Sequence, residues 1–319
     1  MPPIRRPAAR ARCHWRKSAP DRARRATMGA MARSRIALLW LVLAAALVLV
    51  GWRVVRPSTH AERHTAGPTA SRSAAAALPA FELRPLSVSY PPGFGRRRVI
   101  LDPGHGAAGN SGNESCGCEP EQDYTLGLAQ ELARQLESTG HFEVRLTRAP
   151  GQLVAYAPRV AQAESWQAEA FLSLHSDVRG RPEPPGGGAG PACPRANEEP
   201  GFAVLWSDEA NGTLGAARPR LARALGARLR EVGLWPYDGI GYRGLYDGDA
   251  AAPGVFVDRH EPGQRIFVLH APSMASAIIE THNAWNELEA RRWHEPATRQ
   301  ALGTAVAAAL VDALASSGP

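Results

Sequence analysis

Short apolar runs alternate with amphipathic segments from Arg98 to Leu314, and this alternation constrains the fold more than any other feature. An apolar run that ends in a turn signal predicts a buried strand, and apolar residues at helical spacing predict a helix. Such alternation is typical of an α/β domain. We therefore predict a single three-layer α/β domain over residues 96–319, with a mostly parallel twisted sheet flanked by helices.

The predicted strands are 98–102, 142–147, 170–174, 201–206, 266–269 and 275–280, and the predicted helices are 124–136, 156–166, 214–232 and 298–314. Residues 179–200 have the composition of a loop because Gly and Pro dominate them.

The net charge of +7 is unevenly distributed along the chain. Residues 96–319 contain 21 Arg against 27 Asp and Glu, which gives −6. The positive charge therefore belongs to the first 95 residues. A nucleic-acid partner would require basic residues on the folded body, so we expect none.

An uncharged apolar run occupies residues 36–52, and Arg33 and Arg35 precede it. Its length reaches the lower limit of about 17 residues for a membrane-spanning helix. A basic flank before an apolar run predicts that the chain after it is exported. We expect residues 36–55 to be an inner-membrane anchor, or a signal if they are cleaved, with the following domain in the periplasm or cell envelope.

The segments around this run are expected to lie outside the folded domain. Residues 1–35 form a basic tail without periodicity. We expect either that translation starts at Met28 or Met31 or that this tail is disordered. Residues 56–95 are predicted to be a low-complexity tether, with ordered structure starting within 81–98.

Three cysteines lie in the body of the chain, at Cys116, Cys118 and Cys193. In an oxidising compartment they allow one disulfide. Cys116 and Cys118 are too close for an easy mutual bridge, so we expect one of them to pair with Cys193. Zinc binding by the C-x-C pair is a weaker alternative, since no second pair matches it.

Three of the predicted strands end in chemically active residues. His105 follows Asp102 at the first strand end, His175 and Asp177 end the third, and Glu280 ends the last. Catalytic groups of open α/β sheets gather at the carboxyl ends of strands. Either histidine alone would be an ordinary turn residue, but two of them with a carboxylate predict a zinc site. Asp102 is expected to orient the His105 ring.

The ordered motifs VILDPGHG, EQDYTLGLA, FLSLHSD and IIE resemble the zinc-dependent N-acetylmuramoyl-L-alanine amidases of bacterial cell walls (amidase type 3). The resemblance implies an enzyme that hydrolyses the amide between N-acetylmuramic acid and L-alanine in peptidoglycan, for wall remodelling or cell separation. It implies Zn²⁺ held by His105, Glu121 and His175, with Glu119 as the fallback carboxylate. It also makes Glu280 the catalytic base.

The chain departs from this family around the expected cleft. His282 stands where the family has a glycine, and we expect it either to contact the site or to pack beside it. Asp102 and Asp177 are expected to be supporting groups at most. Residues 179–200 and 235–263 resemble insertions. The aromatic residues that could form a substrate wall are Trp235, Tyr237, Tyr242 and Tyr246.

Two other functions fit the sequence less well. One is another exported zinc hydrolase acting on the stem peptides of peptidoglycan, and the other is a non-catalytic wall-binding relative. The presence of all four predicted site residues disfavours the second. The sequence identifies no protein activator.

Overall fold

The computed structural model describes residues 82–183, 193–209 and 214–315. The predicted basic tail, the apolar run 36–52 and most of the tether lie outside these ranges and stay predictions. Among the described residues, we find no helix with the length and hydropathy needed to cross a membrane.

The described elements follow the predicted alternation. The strands are β1 (Arg97–Pro103), β2 (Phe142–Leu146), β3 (Ala170–Asp177), β4 (Ala203–Trp206), β5 (Tyr246–Gly248), β6 (Val255–Asp258) and β7 (Ala275–Asn283). The helices are α1 (Glu121–Ser138), α2 (Tyr156–Ser165), α3 (Leu214–Glu231), α4 (Phe267–His270), α5 (Glu287–Trp293) and α6 (Pro296–Leu314).

The described strands form one sheet in the order β2-β1-β3-β7-β4-β6-β5. The pairs β1–β2, β1–β3 and β3–β7 are parallel. Direction reverses at the antiparallel pair β4–β7, and β6 runs parallel to β4. Strand β5 pairs antiparallel with β6. The sheet is therefore mostly parallel, as predicted, and its parallel half contains all three strands that end in the candidate site residues.

Helices cover both faces of the sheet, which confirms the three-layer prediction. One core cluster joins Leu128 of α1, Leu225 of α3 and Leu310 of α6 to one face. The second cluster covers the other face and includes Ala163 of α2. Strand β7 contributes alternate residues to both clusters, since Ile279 belongs to the first and Ile278 to the second. A strand buried on both faces reads as a continuous apolar run, as ASAIIE does.

The structure differs from the prediction in the region before β7. The apolar run 266–269 was expected to be a strand, and that prediction is wrong, because Phe267–His270 form the short helix α4. Periodicity cannot distinguish helix from strand in so short a run. Strands β5 and β6 and helix α5 were not predicted. Helix α5 is capped by the Asn286 side chain, which accepts from the backbone N–H groups of Leu288 and Glu289.

The last part of the predicted tether packs on the domain. Phe94 is buried in the larger core cluster, and Leu83, Leu86 and Tyr90 pack against it. The Arg84 backbone N–H donates to the Val232 carbonyl at 3.0 Å. Residues 82–95 therefore belong to the folded domain, although the tether was predicted to extend to residue 95. Residue 82 still lies within 81–98, the range predicted for the start of ordered structure.

Candidate functional site

The carboxyl ends of β1, β3 and β7 lie side by side. Asp102 on β1 is the register partner of Ser173 on β3, and His175 on β3 is the register partner of Glu280 on β7. The sheet topology therefore brings together the three segments that the strand-end pattern singled out.

His105 follows β1 in the left-handed backbone region, with φ of 59°. Its Nδ1 lies 2.7 Å from the Asn110 side-chain oxygen, and its Nε2 lies 3.0 Å from Oε2 of Glu121. Asn110 in turn donates from its amide nitrogen to the Tyr156 hydroxyl at 2.7 Å. A proton on Nδ1 satisfies the amide oxygen and leaves the Nε2 lone pair directed at Glu121.

Glu121 is the first residue of α1 and is only 3% exposed. Its Oε2 faces His105, and its Oε1 lies 3.0 Å from Nδ1 of His175. The same carboxylate accepts from the Ser176 backbone N–H at 3.0 Å and from the Asn113 side-chain amide at 2.8 Å. Burial opposes ionisation, but the hydrogen bonds and charges of both histidines hold the Glu121 pKa well below its usual range. Glu121 is therefore an anionic ligand candidate.

The backbone around these three side chains leaves no room for larger residues. A Cβ added at Gly104 would lie 2.5 Å from His175 Nε2, and one at Gly112, where φ is 81°, would lie 2.5 Å from Glu121 Oε2. The glycines thus permit close approach of the loops to the ligand side chains.

The donor atoms of His105, Glu121 and His175 all lie within 4.8 Å of one another. Two imidazole nitrogens and one carboxylate oxygen form a donor set that catalytic zinc uses, with bonds of about 2 Å and a fourth position open. The residues present therefore fit a zinc ion. His105 would be a ligand only when neutral. Burial lowers the His105 pKa, but the hydrogen bond and charge of Glu121 raise it above the ordinary value, so zinc binding would strengthen as pH rises.

Glu119, the fallback carboxylate, lies elsewhere. Its Oε2 is 3.1 Å from Nε2 of His294, and its side chain is about one third exposed. Glu121 is therefore the carboxylate that the structure brings to the histidines.

Asp102 does not take the predicted position beside the His105 ring, because Asn110 holds that ring. The Asp102 carboxylate is buried and accepts from the hydroxyls of Thr147 at 2.5 Å and Ser173 at 2.7 Å. It also forms an ion pair with Arg159 at 3.0 Å. Asp102 therefore pairs with Arg159, which donates to the backbone carbonyl of His105, and does not contact the His105 imidazole.

Glu280, the register partner of His175, lines a cleft of about 660 Å³. Its Oε2 is buried without a hydrogen-bond partner among the described residues. Burial, followed by the negative charges of Asp177 and Glu121, raises the Glu280 pKa well above its ordinary value. An unpaired buried carboxylate is costly, and such groups cluster at functional sites.

Both predicted insertions contribute to the wall of this cleft. Its lining includes Arg181 and Glu199 from the first and Tyr242, Leu245 and Tyr246 from the second. The two other candidate wall residues lie outside the lining. Tyr237 is buried, with its hydroxyl donating to Glu199 at 2.5 Å, and Trp235 packs against the larger core cluster.

Asp177 anchors this wall. Its Oδ2 accepts from Nε of Arg179 at 2.8 Å and from the Tyr242 hydroxyl at 2.5 Å. The Arg179 guanidinium lies 4.0 Å from the centre of the Tyr237 ring, which completes a buried polar and aromatic network. Asp177 is thus a supporting residue of the cleft.

His282 packs beside the site. Its ring stacks on the Trp293 ring, with 5.6 Å between the ring centres, and meets the Tyr124 ring edge-on, with 5.2 Å between the ring centres. Its Nδ1 lies 2.9 Å from the Thr281 hydroxyl. Burial lowers the His282 pKa to about 3, so the ring is neutral. The structure places it in the core and outside the candidate metal cluster.

Cys118 forms a disulfide with Cys193, which confirms the expected pairing of one C-x-C cysteine with Cys193. Cys116 is a buried free thiol. The bridge joins the segment before Glu121 to the segment that supplies Glu199 to the cleft wall.

The sequence pattern did not single out Asn110, Asn113 and Arg159. Two of them lie in the long segment between His105 and Glu121, where no spacing pattern distinguishes one polar residue from another. Arg159 resembles an ordinary helix-surface arginine in the sequence, although it is 0% exposed in the structure.

Known proteins resemble the chain over the same region. Residues 99–312 match the N-acetylmuramoyl-L-alanine amidase family. A segment of 88 residues is 33% identical to the amidase AmiC of Escherichia coli, covering 28% of this chain and 21% of AmiC. The match thus spans about a fifth of that relative.

Solved structures share the fold. An N-acetylmuramoyl-L-alanine amidase from Clostridium difficile 630 superposes with a TM-score of 0.53 at 19% identity, over 70% of this chain and 99% of that one. The amidase Ami1 from Mycobacterium smegmatis gives a TM-score of 0.52 at 21% identity, over 69% and 97%. With the family match over most of its folded body, the chain belongs to the N-acetylmuramoyl-L-alanine amidase family.

Proposed function

We propose that this protein is a zinc-dependent hydrolase that cleaves the amide between N-acetylmuramic acid and L-alanine in peptidoglycan, in wall remodelling or cell separation. The observation that carries the proposal is the arrangement of His105, Glu121 and His175 around one point, with the buried carboxylate of Glu280 on the neighbouring strand. The family match supports the choice of the amide bond.

In this mechanism His105, Glu121 and His175 would hold the zinc. The ion supplies Lewis-acid chemistry, which polarises the scissile carbonyl and makes water a better nucleophile near neutral pH. Glu280 accepts the proton of the attacking water and delivers it to the departing amine of L-alanine. Glu280 lines the cleft, and no hydrogen-bond partner holds its Oε2 among the residues that the structure describes, which supports this role.

The remaining residues orient these groups and the substrate. Asn110 keeps the His105 ring in one tautomer, and Asn113 holds the Glu121 carboxylate. Tyr242 and Tyr246 offer ring surface to the sugar or the peptide within the cleft. Asp177 keeps Tyr242 in place through its hydroxyl.

The test is digestion of purified peptidoglycan by the wild type and by Glu280→Gln, with mass analysis of the products. We expect free stem peptides that begin with an L-alanine amine. Loss of the general base should lower the rate by about 10²–10⁴-fold while zinc content is retained. Glu231→Gln is the control because its carboxylate forms only an exposed ion pair with Arg228.

Other outcomes would select the alternatives. Cleavage within the stem peptide would identify a different zinc hydrolase. Wall binding without any cleavage by the wild type would identify a non-catalytic relative.

We also propose that the enzyme acts in the cell envelope, anchored at the inner membrane by residues 36–55. The support is the uncharged run with arginines before it and the acidic body after it. Fractionation of cells should find the protein with the inner membrane, and deletion of residues 1–55 should leave it in the cytoplasm.

A further inference from the structure

We propose that helix α2 positions the metal ligand His105 through two residues, Arg159 and Tyr156. The inference rests on the proposed zinc site and goes beyond its ligands. Arg159 would fix the backbone of His105, and Tyr156 would fix its ring through Asn110.

All three guanidinium nitrogens of Arg159 donate hydrogen bonds around His105. Nε donates to the Val154 carbonyl at 2.9 Å, and the NH1 group donates to Asp102 at 3.0 Å and to the Pro103 carbonyl at 2.8 Å. The NH2 group donates to the Val154 carbonyl at 2.7 Å and to the carbonyl of His105 itself. Five bonds account for all five N–H donors of an arginine. Lysine has three donors on one nitrogen and cannot reproduce this arrangement.

The bond to His105 matters because of the backbone conformation there. His105 has a φ of 59°, a region that residues with a Cβ rarely adopt, and Gly106 follows with a φ of 70°. This turn sets the direction in which the imidazole leaves the chain. A buried cation on the His105 carbonyl keeps the turn from relaxing to an ordinary conformation.

The charge of Arg159 is also compensated in place. Asp102 is 1% exposed and forms the ion pair with Arg159, and it is held in turn by Thr147 and Ser173. The buried pair therefore joins the end of β1 to α2 without leaving an uncompensated charge.

Tyr156 constrains the ring of His105 and lies on the same face of α2 as Arg159. Tyr156 lies three residues before Arg159, and its ring lies 5.3 Å from the Arg159 guanidinium. Its hydroxyl accepts from the Asn110 amide nitrogen, which turns the Asn110 oxygen towards Nδ1 of His105. One helix face thus constrains both the backbone and the ring of the ligand.

The experiment compares purified full-length wild type, Arg159→Lys and Tyr156→Phe. Three quantities are measured: zinc affinity by competition with a chromophoric chelator, the visible absorption spectrum of the Co²⁺-substituted protein, and the thermal midpoint. Arg218→Lys is the matched control, because Arg218 is also buried and donates to the carbonyls of Glu209, His270 and Pro272, near the start of β7 and away from the site.

We expect Arg159→Lys and Tyr156→Phe each to weaken zinc binding by about 10–100-fold and to change the Co²⁺ spectrum, as loss of groups behind a metal ligand does. Arg218→Lys should lower the thermal midpoint but leave zinc affinity and the Co²⁺ spectrum as in the wild type. If Arg159→Lys does not fold, Tyr156→Phe decides alone, since it removes a single hydroxyl.

Unchanged zinc affinity and an unchanged Co²⁺ spectrum in the folded variants would overturn the positioning role while leaving the proposed function intact. A wild type that binds no zinc would instead refute the zinc site on which the inference rests.

Discussion

Glu280 and His175 are register partners on the neighbouring parallel strands β7 and β3. Residue partners along this pair share a face of the sheet, as Ile279 and Leu174 do in the larger core cluster. The pairing therefore places a buried carboxylate beside a candidate metal ligand at one sheet edge. Backbone hydrogen bonds between the strands fix the separation of Glu280 from His175 more rigidly than a loop could.

Glu121→Gln should abolish tight zinc binding, whereas Glu119→Gln should not. The carboxylate of Glu121 faces both histidines, and that of Glu119 faces His294. Since Glu121 is a direct ligand candidate, replacing it should weaken zinc binding by more than the roughly 10–100-fold that follows loss of a group hydrogen-bonded to a ligand. Zinc content after dialysis against a chelator checks this. Equal zinc content in the two variants would contradict the assignment of Glu121.

Asp177→Asn should shift the acid side of the pH–rate profile to lower pH. A general base works in its ionised form, so activity falls as pH drops through the pKa of Glu280. Burial and then the charge of Asp177 raise that pKa, so neutralising Asp177 should lower it. The measurement is kcat/KM between about pH 4 and 9.

Glu198→Gln is the control for this shift, because Glu198 lines the same cleft but is exposed, where solvent screens its charge. A profile for Asp177→Asn that stays in place or moves to higher pH would contradict the electrostatic role of Asp177.

The two candidate histidine ligands were predictable because each depends on local sequence, whereas the choice of Glu121 rested on the family resemblance. His105 and His175 end apolar runs, and parallel strands deliver their carboxyl ends to one edge whatever the loops do. The supporting contacts depend on residues far apart in the chain. Nothing near Asp102 indicates that Arg159 will neutralise it or that Asn110 will take the histidine ring.

The position of His282 shows where strand alternation fails. Alternation would place Thr281 and His282 on opposite faces. Yet the Thr281 hydroxyl lies 3.0 Å from the Tyr124 hydroxyl, and the His282 ring also contacts Tyr124. The register of β3 and β7 shifts between His175 and Asp177, which disrupts the pleat at this strand end. Sequence patterns do not reveal such an irregularity.

His282 should make the fold sensitive to acid. Burial lowers its pKa from 6.5 to about 3, so the unfolded chain binds a proton that the folded chain excludes. The stability it contributes is fully present above pH 6.5 and is lost as pH falls towards 3. At pH 5 the loss should be about 2 kcal/mol.

His282→Phe keeps a ring between Tyr124 and Trp293 but cannot take up a proton. Urea unfolding at pH 7.5 and pH 5.0 should show a smaller acid loss in this variant than in the wild type. An identical acid loss in both proteins would mean that other groups cause it.

Removing the Cys118–Cys193 disulfide should destabilise the domain by about 2–4 kcal/mol, because the bridge closes a long loop between residues 75 positions apart. The double variant Cys118→Ser, Cys193→Ser tests this by urea unfolding under non-reducing conditions. Cys116→Ala is the matched control, since it removes a buried thiol and leaves the bridge in place.

The same samples establish which cysteines are joined. Burial raises the pKa of the Cys116 thiol, so it should be alkylated slowly in the folded protein. Peptide mapping without reduction should recover Cys118 linked to Cys193. A peptide linking Cys116 to Cys193 would contradict the pairing of Cys118 with Cys193. A double variant as stable as the wild type would show that the bridge does not stabilise the domain.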